Sequence, residues 1–322
     1  MEKISKSFWK KRSHVEKYNI LKINFKAFLF IIFIYNVTGC GNKNKSNEKL
    51  LIEHDRESVN QEQKIPDHKI AEIIRSIPSP VETSTLIRES GGIYNNLILN
   101  SSDNSNKNYH SNFDKAINLG IYGTDLGYVN IYNQSQDALG YLNCIQSLAD
   151  ELKIGHFFEY NTFKRMANNN SNMDSVMYLT IANFESMNNF LHEQKRSDQS
   201  VLILSGGWLE ALYISCTVAK TNKNKELLEK IGEQKIVLDQ LLLLLSNYQD
   251  DEKIANLRTK FLLLQDAYKD VKIVTTFKNS EMHVTKGVYV IDDKSESRVE
   301  ITATQLQEIA RITEQIRGHI II

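Results

Sequence analysis

Two carboxylic acids in this chain stand inside helical stretches built from apolar, aromatic and glycine residues, where acids are uncommon. In LGIYGTDLGYVNIYNQSQ, Asp125 shares a helix face with Tyr128 and Tyr132, and Gln136 follows one turn on. In LSGGWLEALYIS, Glu210 and Tyr213 are enclosed by Trp208, Leu209, Leu212 and Ile214. A carboxyl in such surroundings has a perturbed proton affinity, which marks a candidate site. Facing each other across a cleft at about 5–10 Å, the two acids could work as the acid and base of a hydrolase. Around a closed pocket they could hold a small ligand. Buried against tyrosine hydroxyls that donate to them, they would instead be a structural network.

Glycines decide where these residues meet. Gly120, Gly123 and Gly127 recur at three- and four-residue steps, and Gly206 and Gly207 interrupt the second stretch. A helical glycine costs about 1 kcal/mol relative to alanine, so the cluster implies backbones in close approach. A helix around 112–153 is therefore expected to pack its glycine face on a helix around 198–221. That contact would bring Asp125, Tyr128, Tyr132, Glu210 and Tyr213 to one polar seam.

Other chemistry is not encoded in recognisable form. HEQKR opens like a zinc-protease helix, but Arg196 stands where the second histidine ligand belongs. SGGW is not a nucleophile elbow, which needs Gly-x-Ser-x-Gly. NSSDNSNKN lacks the sixth-position glycine and late glutamate of a calcium loop, and fits an Asn/Ser-rich turn. No catalytic residue, metal site or cofactor is expected. Cys144 and Cys216 lie in apolar helical patterns and are expected as two separately buried thiols.

The N-terminal region carries a different signal. Residues 1–26 hold eight Lys/Arg against Glu2 and Glu16, and Ala27 to Tyr35 are uninterrupted apolar or aromatic residues. This is the basic-then-apolar layout of an export signal. Nine apolar residues rise about 14 Å as a helix, well short of the ~30 Å hydrocarbon core, so a membrane-spanning anchor fits poorly. Val37-Thr38-Gly39-Cys40 then has the form of a lipobox, with small residues at the cut site and a thiol to receive lipid. Cys40 is the expected lipidation site, and two or three acyl chains suffice for stable anchoring. Gly41 follows the cysteine and the first acid is Glu48, a pattern that favours the periplasmic face of the outer membrane.

Without residues 1–39, which contain eight basic and two acidic residues, the 39 Lys+Arg and 39 Asp+Glu fall to 31 and 37, a net charge of −6. Nucleic acid would call for the opposite sign. The expected partners are the membrane, through the N-terminal lipid, and a protein or small ligand.

The elements that must position the seam are helical. All three prolines precede residue 81, which leaves the rest free for long helices. SPVE (Ser79 to Glu82) and SNFD (Ser111 to Asp114) have the form of capping boxes. Helices are expected over about 67–76, 80–90, 112–153, 172–195, 198–221, 224–247 and 251–270. Short β-branched runs after Val271, with Val271, Ile273, Thr275 and Phe277 on one face, predict strands. A last helix is expected behind Thr304 as N-cap with Gln307 at N3, burying Leu306, Ile309, Ile312 and Ile316.

The fold class is thus mainly α: an up-down helical bundle with a small C-terminal antiparallel β meander and a final helix. Residues 1–39 are read as signal peptide, 40–66 as a polar tether, 67–270 as the bundle, and 271–322 as the β element with its helix.

The segments SIPSPVE, LIRESGGIY, KAINLGIYGTDLGY, YNQSQDALGYL, NNNSNMDSV and LILSGGWLEALYI resemble a family of Bacteroidetes lipoproteins to which no activity is assigned. The likeness spans roughly residues 70 to 320. It implies the exported compartment and carries over no catalytic residue. The function expected first is a non-catalytic helical scaffold or binding module, lipid-anchored at the outer membrane. Second comes a small-molecule binder or sensor using the polar seam, and third a hydrolase with the carboxylate pair.

Overall fold

The computed structural model describes residues 64–77, 87–102, 109–158, 173–222, 224–276, 281–285, 288–292 and 296–321. Cys40, the expected signal peptide (residues 1–39), most of the expected tether and the SPVE box lie outside them. The protein is mainly helical, with a small antiparallel β element near its C-terminus and a final helix after it. The helices are α1 (Asp67–Ser76), α2 (Asn112–Ile131), α3 (Ser135–Glu151), α4 (Met173–Glu193), α5 (Ser197–Thr221), α6 (Lys225–Ser246), α7 (Glu252–Tyr268) and α8 (Ala303–Gly318). Residues 63–275 and 297–322 form one compact unit, so α8 belongs to the bundle.

Local chemistry explains where these helices begin. The Ser111 hydroxyl accepts from Asp114 N and the Asp114 side chain accepts from Ser111 N, a complete capping box. Asn224 and Asp251 cap α6 and α7 through their side-chain oxygens. The final helix is capped by Thr302 with Gln305 as its reciprocal partner, two residues earlier than Thr304 and Gln307. The sequence repeats Thr-x-x-Gln at that offset, and β4 ends at Glu300, so the chain can turn into the helix at once.

The helix expected over 112–153 is two helices. At the end of α2, Asn133 adopts φ 56°, its N–H bonds Asn130 O at 3.0 Å, and Gln134 N bonds Val129 O at 3.1 Å. This is a Schellman ending with asparagine in the left-handed position usually held by glycine.

Helix α5 is the centre of the bundle. It is long and apolar enough by composition to cross a membrane, but it is mostly buried inside the protein, as a core helix is. Its most extensive partner is α2, with α6, α8 and α4 packed around it. The expected glycine contact is present. A Cβ on Gly120 would overlap the Ile203 carbonyl oxygen, and one on Gly206 would overlap that of Ile117. Gly123 faces elsewhere, toward the Phe184 ring on α4. The close approach lets Thr124 Oγ1 on α2 donate to Gly207 O on α5 at 3.0 Å.

The strands are β1 (Lys272–Thr276), β2 (Glu281–Thr285), β3 (Val288–Asp292) and β4 (Glu296–Glu300). They pair β1 with β4 and β2 with β3, a nested order. The β2–β3 pair is antiparallel, with Glu281 opposite Asp292 and Thr285 opposite Val288. Val299 of β4 is buried against Gly232 of α6, which has no side chain to obstruct it. At the other end of the described bundle chain, Ile65 N donates to Asn247 Oδ1 at 2.7 Å and Lys64 pairs with Asp250. The last residues assigned to the tether are therefore already bound to the bundle.

Candidate functional site

Asp125 of α2 and Glu210 of α5 are both completely buried. They lie close enough for the charge of Glu210 to act on Asp125, one helix turn beyond the glycine contact. The close helix approach at Gly120 and Gly206 puts them there. An ionised carboxylate buried without partners costs several kcal/mol, so the partners decide what the site can do.

Glu210 is held by Arg317, which comes from the last turn of α8. The guanidinium donates from Nε to Oε2 at 2.6 Å and from its terminal nitrogen to Oε1 at 2.8 Å, a two-pronged pair. The same terminal nitrogen donates to Ile98 O at 3.2 Å and to Asn100 Oδ1 at 3.0 Å. One face of the guanidinium covers the Tyr213 ring at 4.0 Å, a cation–π contact. One side chain thus joins α8, α5 and the strand-like segment after the 3₁₀ turn Asn96–Ile98.

Asp125 is held by Asn100, whose Nδ2 donates to Oδ2 at 2.8 Å, with Asn100 N a longer donor to the same oxygen. Its other oxygen, Oδ1, is buried without a donor. Burial raises the proton affinity of Asp125 well above the ordinary carboxylate range, the charge of Glu210 adds to the shift, and Asn100 and Arg317 oppose it only in part. The geometry is satisfied when Asp125 carries the proton and donates it toward Glu210. The cluster is then one carboxylate, one guanidinium and one neutral acid, with no net charge.

The tyrosines do not donate to the acids, contrary to the expectation from sequence. Tyr128 OH reaches Ile93 O and accepts from Asn95 N, while Tyr132 OH donates to Gly92 O at 2.7 Å. Both rings stack with Tyr94, whose hydroxyl donates to Asp137. Tyr141 OH donates to Asn100 O at 2.7 Å. These hydroxyls satisfy backbone groups of residues 92–100, a segment with no regular ladder of its own. Burial pushes the proton affinities of Tyr128, Tyr132 and Tyr141 up, so they stay neutral donors. Gln136 is exposed and takes no part. Of the five expected residues, Asp125, Glu210 and Tyr213 meet at one site; Tyr128 and Tyr132 build the wall beside it.

Arg317 and Asn100 are members of the site that sequence patterns did not single out. A signal for Arg317 exists: it stands seven residues after Ala310 and four after Thr313, on the buried stripe of α8. An arginine at a core position of a helix requires a buried acid, and Glu210 is one. Asn100 lies in a loop and offers no comparable signal.

The chemistry open to this site is narrow. Both carboxyls are closed off from solvent, whereas glycoside hydrolysis uses a cleft in which sugar lies between acids about 5 Å or more apart. Among the described residues no group of His, Cys, Asp and Glu could hold a metal ion. Cys144 and Cys216 form no disulfide and are both buried, with Cys144 Sγ donating to Ser102 O at 2.8 Å. No protein-family model matches this chain, and neither the curated proteins nor the solved structures contain a significant match to it.

Proposed function

We propose that this chain is an exported lipoprotein, anchored through Cys40 at the periplasmic face of the outer membrane, whose helical domain is a non-catalytic scaffold or binding module. The observation that carries the second half is the state of the seam. Its two acids have no solvent exposure, and the donors around them belong to the protein itself. A site so closed ties helices together and leaves no place for a substrate. The first half rests on the export layout of residues 1–40 and the Val37-Thr38-Gly39-Cys40 motif. The polar residues after Cys40 would then act as the spacer between bilayer and bundle.

Cys40→Ala is the test. The variant is expected to lose labelling by an alkyne fatty acid completely and to leave the membrane fraction, with its helical circular dichroism unchanged. Continued labelling, or membrane pelleting after a carbonate wash, would count against anchoring through this thiol.

A further inference from the structure

We propose that Asp125, Glu210 and Arg317 form a proton-gated latch: a proton held on Asp125 beside Glu210 keeps residues 96–101 and the last turn of α8 closed over the seam, and its loss opens them. The elements meeting there are α2 through Asp125, α5 through Glu210, α8 through Arg317, and the 96–101 segment through Asn100 and the Ile98 carbonyl. With the proton in place on the orphaned Asp125 Oδ1, that oxygen becomes a donor and is no longer a buried acceptor without a partner, and the three groups sum to zero charge. When the proton leaves for water, two fully buried carboxylates confront one guanidinium whose side chain is 14% exposed. Oδ1 is then a charged acceptor without a donor, in the field of the Glu210 charge. Hydrating the seam relieves both defects, and the cover held least by regular backbone bonding is the 96–101 segment.

Other ionisable groups near the latch do not compete for this role. Tyr94, Tyr109, Tyr122 and Tyr141 lie near Asp125, and burial keeps their hydroxyls protonated. Tyr213 lies beneath Arg317. Lys220 and Glu314 pair on the exposed surface of α5 and α8, and His319 is exposed with its ring on Gln315 O.

The sign follows from the direction of the shift. A carboxyl with raised affinity in the folded state stabilises the closed form fully below its unfolded value of about 3.9, and that stabilisation is lost as pH rises through the folded value. Opening therefore releases one proton throughout this window, and the opening equilibrium climbs about tenfold per pH unit.

Amide hydrogen exchange on the full-length protein in detergent, corrected for intrinsic rates, reads this directly. Asn100 N–H, which faces Asp125, and Ile320 N–H, which bonds Arg317 O, report the two sides of the latch. Their protection is expected to fall about tenfold per pH unit above the ordinary carboxylate range, while amides in the middle of α5 hold theirs. In Asp125→Asn the side-chain amide donates to Glu210 at every pH, so the slope disappears. Glu210→Gln removes the second charge, leaves Asp125 to pair with Arg317, and likewise flattens the profile. Flat protection in the unaltered protein, or an unchanged slope in either variant, would overturn the latch.

Discussion

Arg317→Ala is expected to destabilise the protein by about 3–5 kcal/mol, the range seen when one partner of a buried ion pair is removed. That is a large share of a typical folding free energy of about 5–15 kcal/mol. The change takes both donors from Glu210, one hydrogen bond each from Ile98 O and Asn100, and the cation over Tyr213. The second acid adjoins the first, so neither carboxylate can compensate for the other. Arg317→Lys should fall between, because an ammonium cannot fork to both carboxylate oxygens and still reach the 98–100 backbone. Urea unfolding followed by circular dichroism checks the size. The exposed Lys64–Asp250 pair, with side chains 72% and 83% accessible, sets the contrasting scale of a surface bridge, where such pairs contribute about 0–1 kcal/mol. A loss that small for Arg317→Ala would mean that the seam does not hold the fold.

Gly120→Ala should reverse the usual sign of a helical substitution. Alanine ordinarily stabilises a helix by about 1 kcal/mol over glycine. At Gly120 the new methyl would enter the space of the Ile203 carbonyl oxygen and lie 2.8 Å from Gly207 N, both backbone atoms of a buried helix. Backbone cannot swing aside as a side chain does, so α2 and α5 must separate, at a cost of about 3 kcal/mol or more. Gly206→Ala meets the Ile117 carbonyl from the other side and should cost a similar amount. The double variant should cost less than the sum, because one separation relieves both overlaps. Gly318, where an added methyl would have nothing within 4 Å, is the control and should tolerate alanine with no loss. Thermal unfolding of the four variants settles the order. Stabilisation by Gly120→Ala would show that the two backbones are not in contact.

The parts of this fold that are legible in the sequence are those with a local physical cost. Glycines within helices are unfavourable unless something needs the space, so the α2–α5 contact is visible from Gly120 and Gly206 alone. Ser111 with Asp114 and the absence of proline after residue 81 place helix starts and long helices in the same way. The break at Asn133 is hidden because the left-handed position is filled by asparagine, whose local preference is weak and is decided by packing. The shift from Thr304 to Thr302 comes from two overlapping cap patterns that local chemistry cannot rank. The acid pair is visible, and its partner is not. Glu210 and Arg317 are separated by 107 residues and by the intervening β element, so only the fold joins them. The tyrosine hydroxyls lie near the acids in sequence, yet the fold gives them to the carbonyls of residues 92–100, which have no sheet or helix to satisfy them.

A buried seam that holds Asp125 protonated beside Glu210 underlies both the structural role and the latch. Carboxyl-carbon NMR, with the Asp125 resonance assigned by its absence in Asp125→Asn, measures this most directly. Asp125 is expected to titrate well above the ordinary aspartate value of about 3.9. A titration of Asp125 at that ordinary value would show that water reaches the site and that the charge of Glu210 does not act on it, contradicting the buried seam.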